Sequence, residues 1–154
     1  TIRNKRNIMK RTLTAIVSIL VAGLITAPAF AREATKEEAA CLQAYHQVHD
    51  ALVKDDLAAA KKSASDLAEK ATAAKCGPPA KQHADELAKS NTLEAAREHF
   101  KAISEECIKM AARVDGQYVF TCPMAKAEWL QTDSKQVSNP YMGKKMPTCG
   151  GIKK

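Results

Sequence analysis

Ala96, Phe100, Ile103, Cys107, Met110 and Val114 recur at steps of four, three, four, three and four. That spacing holds them on one face of an α-helix; a strand, with its period of two, would scatter them over both faces. Three more segments carry related stripes. Thr35-Lys36-Glu37-Glu38 is a capping box, in which the threonine hydroxyl accepts from the amide three residues on and Glu38 reaches back. Cys41, Tyr45, Val48 and Leu52 follow on one helical face. Lys54-Asp55-Asp56 breaks that pattern and supplies an N-cap for a second helix, striped by Leu57, Ala60, Ala64, Leu67, Ala71 and Ala74. Cys76-Gly77-Pro78-Pro79 ends it. A third, shorter helix from about Pro79 carries Ala80, His83 or Ala84, and Leu87, stopping near Ser90-Asn91; Asn91 with Glu94 is expected to cap the fourth. Four amphipathic segments joined by short turns predict an all-α fold, a small up-down four-helix bundle. So much of the stripe is alanine that the helices can approach closely and the core is thin.

A thin core gains from a cross-link. In such a bundle the first and fourth helices run antiparallel, which sets Cys41 opposite Cys107, both on core stripes. A Cys41–Cys107 disulfide is therefore expected, stabilising by ~2–4 kcal/mol through restriction of the unfolded chain. Cys76 closes the second helix at the same end of the bundle and is the alternate partner for either.

The net charge of +7 suggests an acidic partner until it is located. Residues 1–31 hold five basic residues and no acidic one; 24 basic residues less these five leaves 19 against 17 acidic, or +2. The basic cluster precedes an apolar run from Leu13 to Ile25 and a small-x-small pattern at Ala29 and Ala31. This reads as a cleaved secretory signal peptide spanning 1–31, and Met9-Lys10-Arg11 is the more conventional start for it, with 1–8 then untranslated. The apolar run is shorter than the ~20 residues of a spanning helix, so no stable membrane insertion is expected after cleavage. A single domain of 123 residues, 32–154, would remain, with 116–154 as its tail. The expected compartment is the periplasm. All five cysteines (41, 76, 107, 122, 149) lie in that domain, and their odd number leaves at least one thiol free, metal-bound or shared.

Beyond Gly116 the helical period disappears. Tyr118 to Cys122 reads as a short extended segment entering a turn, Ala-Lys-Ala-Glu-Trp-Leu as one or two helical turns, and Asn139 to Gly151, broken by Pro and Gly, as a fixed irregular loop. Two elements in this tail look alike: Cys122-Pro123-Met124 and Met146-Pro147-Thr148-Cys149 each set a thiol and a thioether beside a stiff proline. Soft donors of this kind favour Cu(I) or Ag(I) over hard cations. Zinc suits them less, for there is no Cys-x-x-Cys pair and Met is a poor zinc ligand. A Cys122–Cys149 disulfide with the methionines as core fillers accounts for the same residues. Trp129, Tyr141 and Phe120 are expected to anchor the tail by burial.

Cys-Pro-Met-Ala, Trp-Leu-Gln and Asn-Pro-Tyr-x-Gly-x-x-Met-x-x-Cys-Gly, together with Ala51 to Asp56 and Arg97 to Ser104, resemble a bacterial domain-of-unknown-function family. It occurs alone in the periplasm or appended to the adaptor subunits of copper/silver tripartite efflux systems. The resemblance is specific in the tail and weaker in the bundle. It implies heavy-metal binding, with Cys122, Met124, Met146 and Cys149 as ligands and His99 as a fifth. Met142 stands where the pattern has an aromatic and adds another thioether. Cys41, Cys76 and Cys107 lie outside the pattern. Of the other histidines, His46 and His49, one turn apart, read as solvated helix residues, and His83 has no companion.

The expected function is capture of Cu(I) or Ag(I) for buffering, resistance or hand-over to an efflux adaptor. The rival is a disulfide-stabilised structural or interaction module without metal. No nucleophile with an orienting base, paired apolar carboxylates or phosphate loop suggests an enzyme. A charge of +2 and the compartment argue against nucleic acid.

Overall fold

The computed structural model describes residues 31–112 and 114–153; the signal-peptide reading of 1–31 lies almost wholly outside them. Helices α1 (Lys36–Val53), α2 (Leu57–Ala73), α3 (Pro78–Lys89) and α4 (Leu93–Ala111) pack in succession. The capping box at Thr35 and Glu38 forms, and Asp56 caps α2 by accepting from the Ala59 amide. At α4 the cap is Thr92, whose hydroxyl accepts from Ala95 N at 3.1 Å; the expectation for Asn91 was one residue early. Both α1 and α2 end in paired reverse hydrogen bonds around a left-handed residue, Asp55 at φ 56° and Lys75 at φ 54°. Neither is glycine. These turns reverse the chain within a few residues and set the up-down order.

The stripes face inward as their periods require. Cys41, Tyr45, Val48 and Leu52 from α1, Ala60, Ala64, Leu67 and Ala71 from α2, Ala80, Ala84 and Leu87 from α3, and Ala96, Phe100, Ile103 and Cys107 from α4 are buried. Tyr45 stacks on Phe100 at 4.9 Å, giving the alanine-rich core its main aromatic contact between α1 and α4.

The all-α expectation fails in the tail, which forms a three-stranded antiparallel sheet in the order β2-β1-β3. Strand β1 (Tyr118–Cys122) pairs with β2 (Ala127–Gln131) and with the two-residue β3 (Gly151–Ile152). The stretch 125–130, expected as helical turns, instead contributes residues 127–130 to β2, which ends at Gln131. Their Ala, Glu and Leu favour helix locally, but Phe120 pairs with Trp129 across the hairpin, and Trp129 and Leu130 bury against the bundle. Cross-strand packing of this sort overrides weak propensity. The stretch from Asn139 to Gly151, expected to be irregular, holds a 3-10 turn at Gly143–Lys145 and ends in strand β3 at Gly151.

Sheet and bundle share a polar seam. Tyr45 Oη lies 2.8 Å from Ser104 Oγ and accepts from Leu130 N at 3.1 Å. Tyr141 Oη lies 3.0 Å from the same serine oxygen and donates to the Glu128 carbonyl at 2.7 Å. Burial pushes both phenols up from their ordinary range, so they remain neutral. Arg97 on α4 donates to the Pro140 carbonyl at 2.9 Å and to the Leu52 carbonyl at 3.1 Å, and pairs with Asp55. His49, expected in solvent, is buried and bonds the Ser138 carbonyl at 2.9 Å. Among the described residues no buried side-chain N or O lacks a partner, so the tail docks without stranding a polar group. Among them, too, no helix is long and apolar enough to cross a membrane.

Candidate metal centre

Cys122 is the last residue of β1, and its position facing the bundle follows from the strand's alternation through Phe120. Cys149 arrives from the far end of the irregular loop. Their sulfurs are 3.0 Å apart. Asn139, fully buried, makes that approach possible: its amide group donates to the Cys149 carbonyl at 2.7 Å, and its side-chain oxygen accepts from Tyr141 N at 2.9 Å and Met142 N at 3.1 Å. Its own backbone N–H donates to Pro147 O at 2.8 Å, closing the loop on itself. Gly150 completes the fit at φ 123°, since a Cβ there would stand 2.6 Å from the Thr121 carbonyl and 2.9 Å from Trp129.

Burial disfavours a thiolate at Cys122, but bonds from Cys149, the Ala125 and Met124 amides and the Asn139 side chain outweigh it and hold the thiol below its ordinary range. The bond to Cys122 pushes Cys149 up. The two sulfurs are thus unequal, Cys122 being the readier of the pair to ionise. Such a pair can lose two electrons and two protons to an oxidant and close to a disulfide, or open by ~1.6 Å around a soft ion in linear coordination. Two thiolates on a linear Cu(I) at ~2.3 Å each stand ~4.6 Å apart.

The remaining tail donors are more exposed. Met124 is 63% and Met146 39% exposed, while Met142 is half-buried. Met124 and Met142 line one cleft with Tyr141, Arg97 and Lys145. Cys122 borders another, of about 590 Å³, between α4 and the hairpin. His99 is engaged elsewhere: its Nδ1 lies 3.2 Å from Nδ1 of His83, pairing α4 with α3. No spacing in the chain announces that pair, because its members are 16 residues apart on different helices.

A second sulfur cluster lies at the end of the bundle where α1 and α3 begin and α2 and α4 end. Cys41, Cys76 and Cys107 are all buried, their sulfurs lie within 4.8 Å of one another, and Cys76 and Cys107 are 3.2 Å apart. Cys41 and Cys107 come from the α1 and α4 stripes. Cys76 is delivered by the turn at Lys75, where its amide bonds back to Ala71 O at 3.1 Å. The sequence-based pairing of Cys41 with Cys107 thus has its alternate, Cys76, in the same cluster, and the closest sulfur approach there is that of Cys76 to Cys107. Bonds from Cys107 and Cys76, with Lys70 nearby, hold Cys41 well below the ordinary thiol range. At Cys76 the bond from Cys107 favours the thiolate, but Cys41, burial and Glu106 push the group up to about 12. Bonding to Cys41 and Cys76, with burial, pushes Cys107 up as well.

The fold and these two clusters define a four-helix bundle with a small antiparallel sheet that carries sulfur in both parts. Residues 41–117, half of the chain, match the model of a family described as a protein of unknown function (DUF3347), and the chain belongs to that family. The matched stretch contains the three bundle cysteines and ends before Cys122 and Cys149. Neither the curated proteins nor the solved structures contain a match to this chain.

Proposed function

We propose that the protein is a periplasmic binding protein for Cu(I) or Ag(I), captured at Cys122 and Cys149 with thioether help from Met124, Met146 or Met142. The observation that carries this reading is the 3.0 Å approach of two cysteine sulfurs from opposite ends of the tail, beside solvent-exposed methionines. A thiolate pair with thioethers at the rim suits an ion that must be passed on, since soft ligands can be exchanged one at a time. The proposed role is buffering, resistance or hand-over to a copper/silver efflux adaptor, without catalysis. Titration of the reduced protein with Cu(I) against a competing chelator is expected to show binding that Cys122→Ser with Cys149→Ser weakens severely. Affinity unchanged in that double variant would sink the reading.

The same spacing supports the rival, a disulfide-stapled module. Thiol counting by mass spectrometry on protein taken from the periplasm separates the two. A quantitative Cys122–Cys149 bridge favours the staple, and two alkylatable tail thiols favour the ion.

A further inference from the structure

We propose that Cys41, Cys76 and Cys107 form a second soft-metal site, a closed three-sulfur cage that ties α1, the α2–α3 turn and α4 together around one Cu(I) or Ag(I). The proposal stands independently of the tail reading, because the two sets share no residue.

Number and geometry carry it. Three sulfurs from three separate elements converge within 4.8 Å, and all three residues are buried. A cross-link needs only two. A disulfide between any two would leave the third thiol in contact with the bridge, where thiolate attack on a disulfide sulfur would move the bond around the cluster. That is a poor staple. An ion bonded to three sulfurs at ~2.3 Å would space them ~4 Å apart in a trigonal plane, inside the observed span, so only small side-chain adjustments are needed.

Donor chemistry narrows the ion. The cluster contains cysteine alone, with no histidine or carboxylate among its donor atoms. Structural zinc takes four ligands, so a three-donor cage closed to water does not suit it, whereas soft d10 monovalent ions accept thiolates in low coordination number. The resulting excess of negative charge has nearby compensation. Lys70 on α2 lies within electrostatic range of Cys41.

The cage differs from the tail pair in consequence. A site with no exposed ligand exchanges slowly and stabilises the bundle by binding the folded state alone. The full chain carrying Cys122→Ser and Cys149→Ser, reduced and titrated with Cu(I) against a chelator, is expected to bind one equivalent. X-ray absorption should show three sulfur neighbours at ~2.3 Å, and the thermal midpoint should rise on loading. Adding Cys41→Ala should lower the sulfur count to two. It should also weaken binding by more than the roughly 10–100-fold that outer-shell changes typically cost. If that variant fails to fold, Cys107→Ala in the same background serves, with far-UV circular dichroism confirming the helices. No Cu(I) uptake by the tail-deficient protein, two sulfurs at the bound ion, or undiminished affinity after Cys41→Ala would each overturn the proposal. Loss of the tail reading alone would instead appear as an unaltered Cu(I) stoichiometry on removing Cys122 and Cys149.

Discussion

The bundle and the tail each bring distant cysteines together, by opposite means. In the bundle, Cys41 and Cys107 ride on helical stripes, and Cys76 follows from a turn fixed by reverse backbone bonds. Their convergence is a by-product of packing the core. In the tail, Cys122 ends a strand and Cys149 ends a loop that owes its course to the buried Asn139 side chain and its bonds to Cys149, Tyr141 and Met142. A periodic scaffold yields a closed cluster held by many small contacts, and a loop yields a pair with one part-exposed member, Cys149, held by few strong ones. The second should be far easier to disturb without touching the first.

Several substitutions test that contrast, beginning with the largest effect. Trp129 is fully buried, stacked on Phe120 at 5.7 Å and edge-on to Tyr141 at 5.9 Å. Trp129→Ala is expected to cost ~3–5 kcal/mol in urea unfolding. If the regions are separable, the tail loses protection from hydrogen exchange while the helical signal persists; simultaneous loss of both would merge them into one cooperative unit. Asn139→Ala leaves the Cys149 carbonyl and two loop amides without their partner and should cost ~2–3 kcal/mol. It should also speed alkylation of Cys149, leaving Cys41, Cys76 and Cys107 as slow as before. Tyr45→Phe removes the hydroxyl joining Ser104 to Leu130 N, with an expected loss of ~1–2 kcal/mol and a weakened seam between the regions.

The smallest effect is a pH dependence confined to the bundle's first cap. Arg32 and the Thr35 amide hold Glu38 down to about 2 from 4.5. A depressed carboxyl contributes stability that is fully present above its unfolded value and declines as pH falls toward the folded one. Thermal midpoints should therefore drop shallowly between about 4.5 and 2, and that component should vanish in Glu38→Gln.

The same contrast explains what could be read from the sequence. Periodic stripes and local caps report structure within a few residues, so the four helices and the buried faces of Cys41 and Cys107 were legible, and Cys76 was visible at the same bundle end. Strand β2 was not, because Ala127, Glu128 and Leu130 have helical preferences and only pairing with β1 and burial of Trp129 decide their state. The candidate ligands Cys122 and Cys149 were recognisable by type and spacing, but the roles of Asn139 and Arg97 depend on partners up to 45 residues away. The pairing of His99 with His83 is equally a product of helix packing. Long-range polar bonds leave no local period to detect.

Trp129 is the one tryptophan of the chain, and its ring edge meets Gly150, the residue next to Cys149. The protein therefore carries its own optical reporter at the loop where the tail sulfurs meet. Oxidation, ion capture or loosening of that loop would change the polarity and quenching around the indole, so the emission spectrum of the unlabelled protein can follow events at the tail while cysteine chemistry elsewhere is measured by other means.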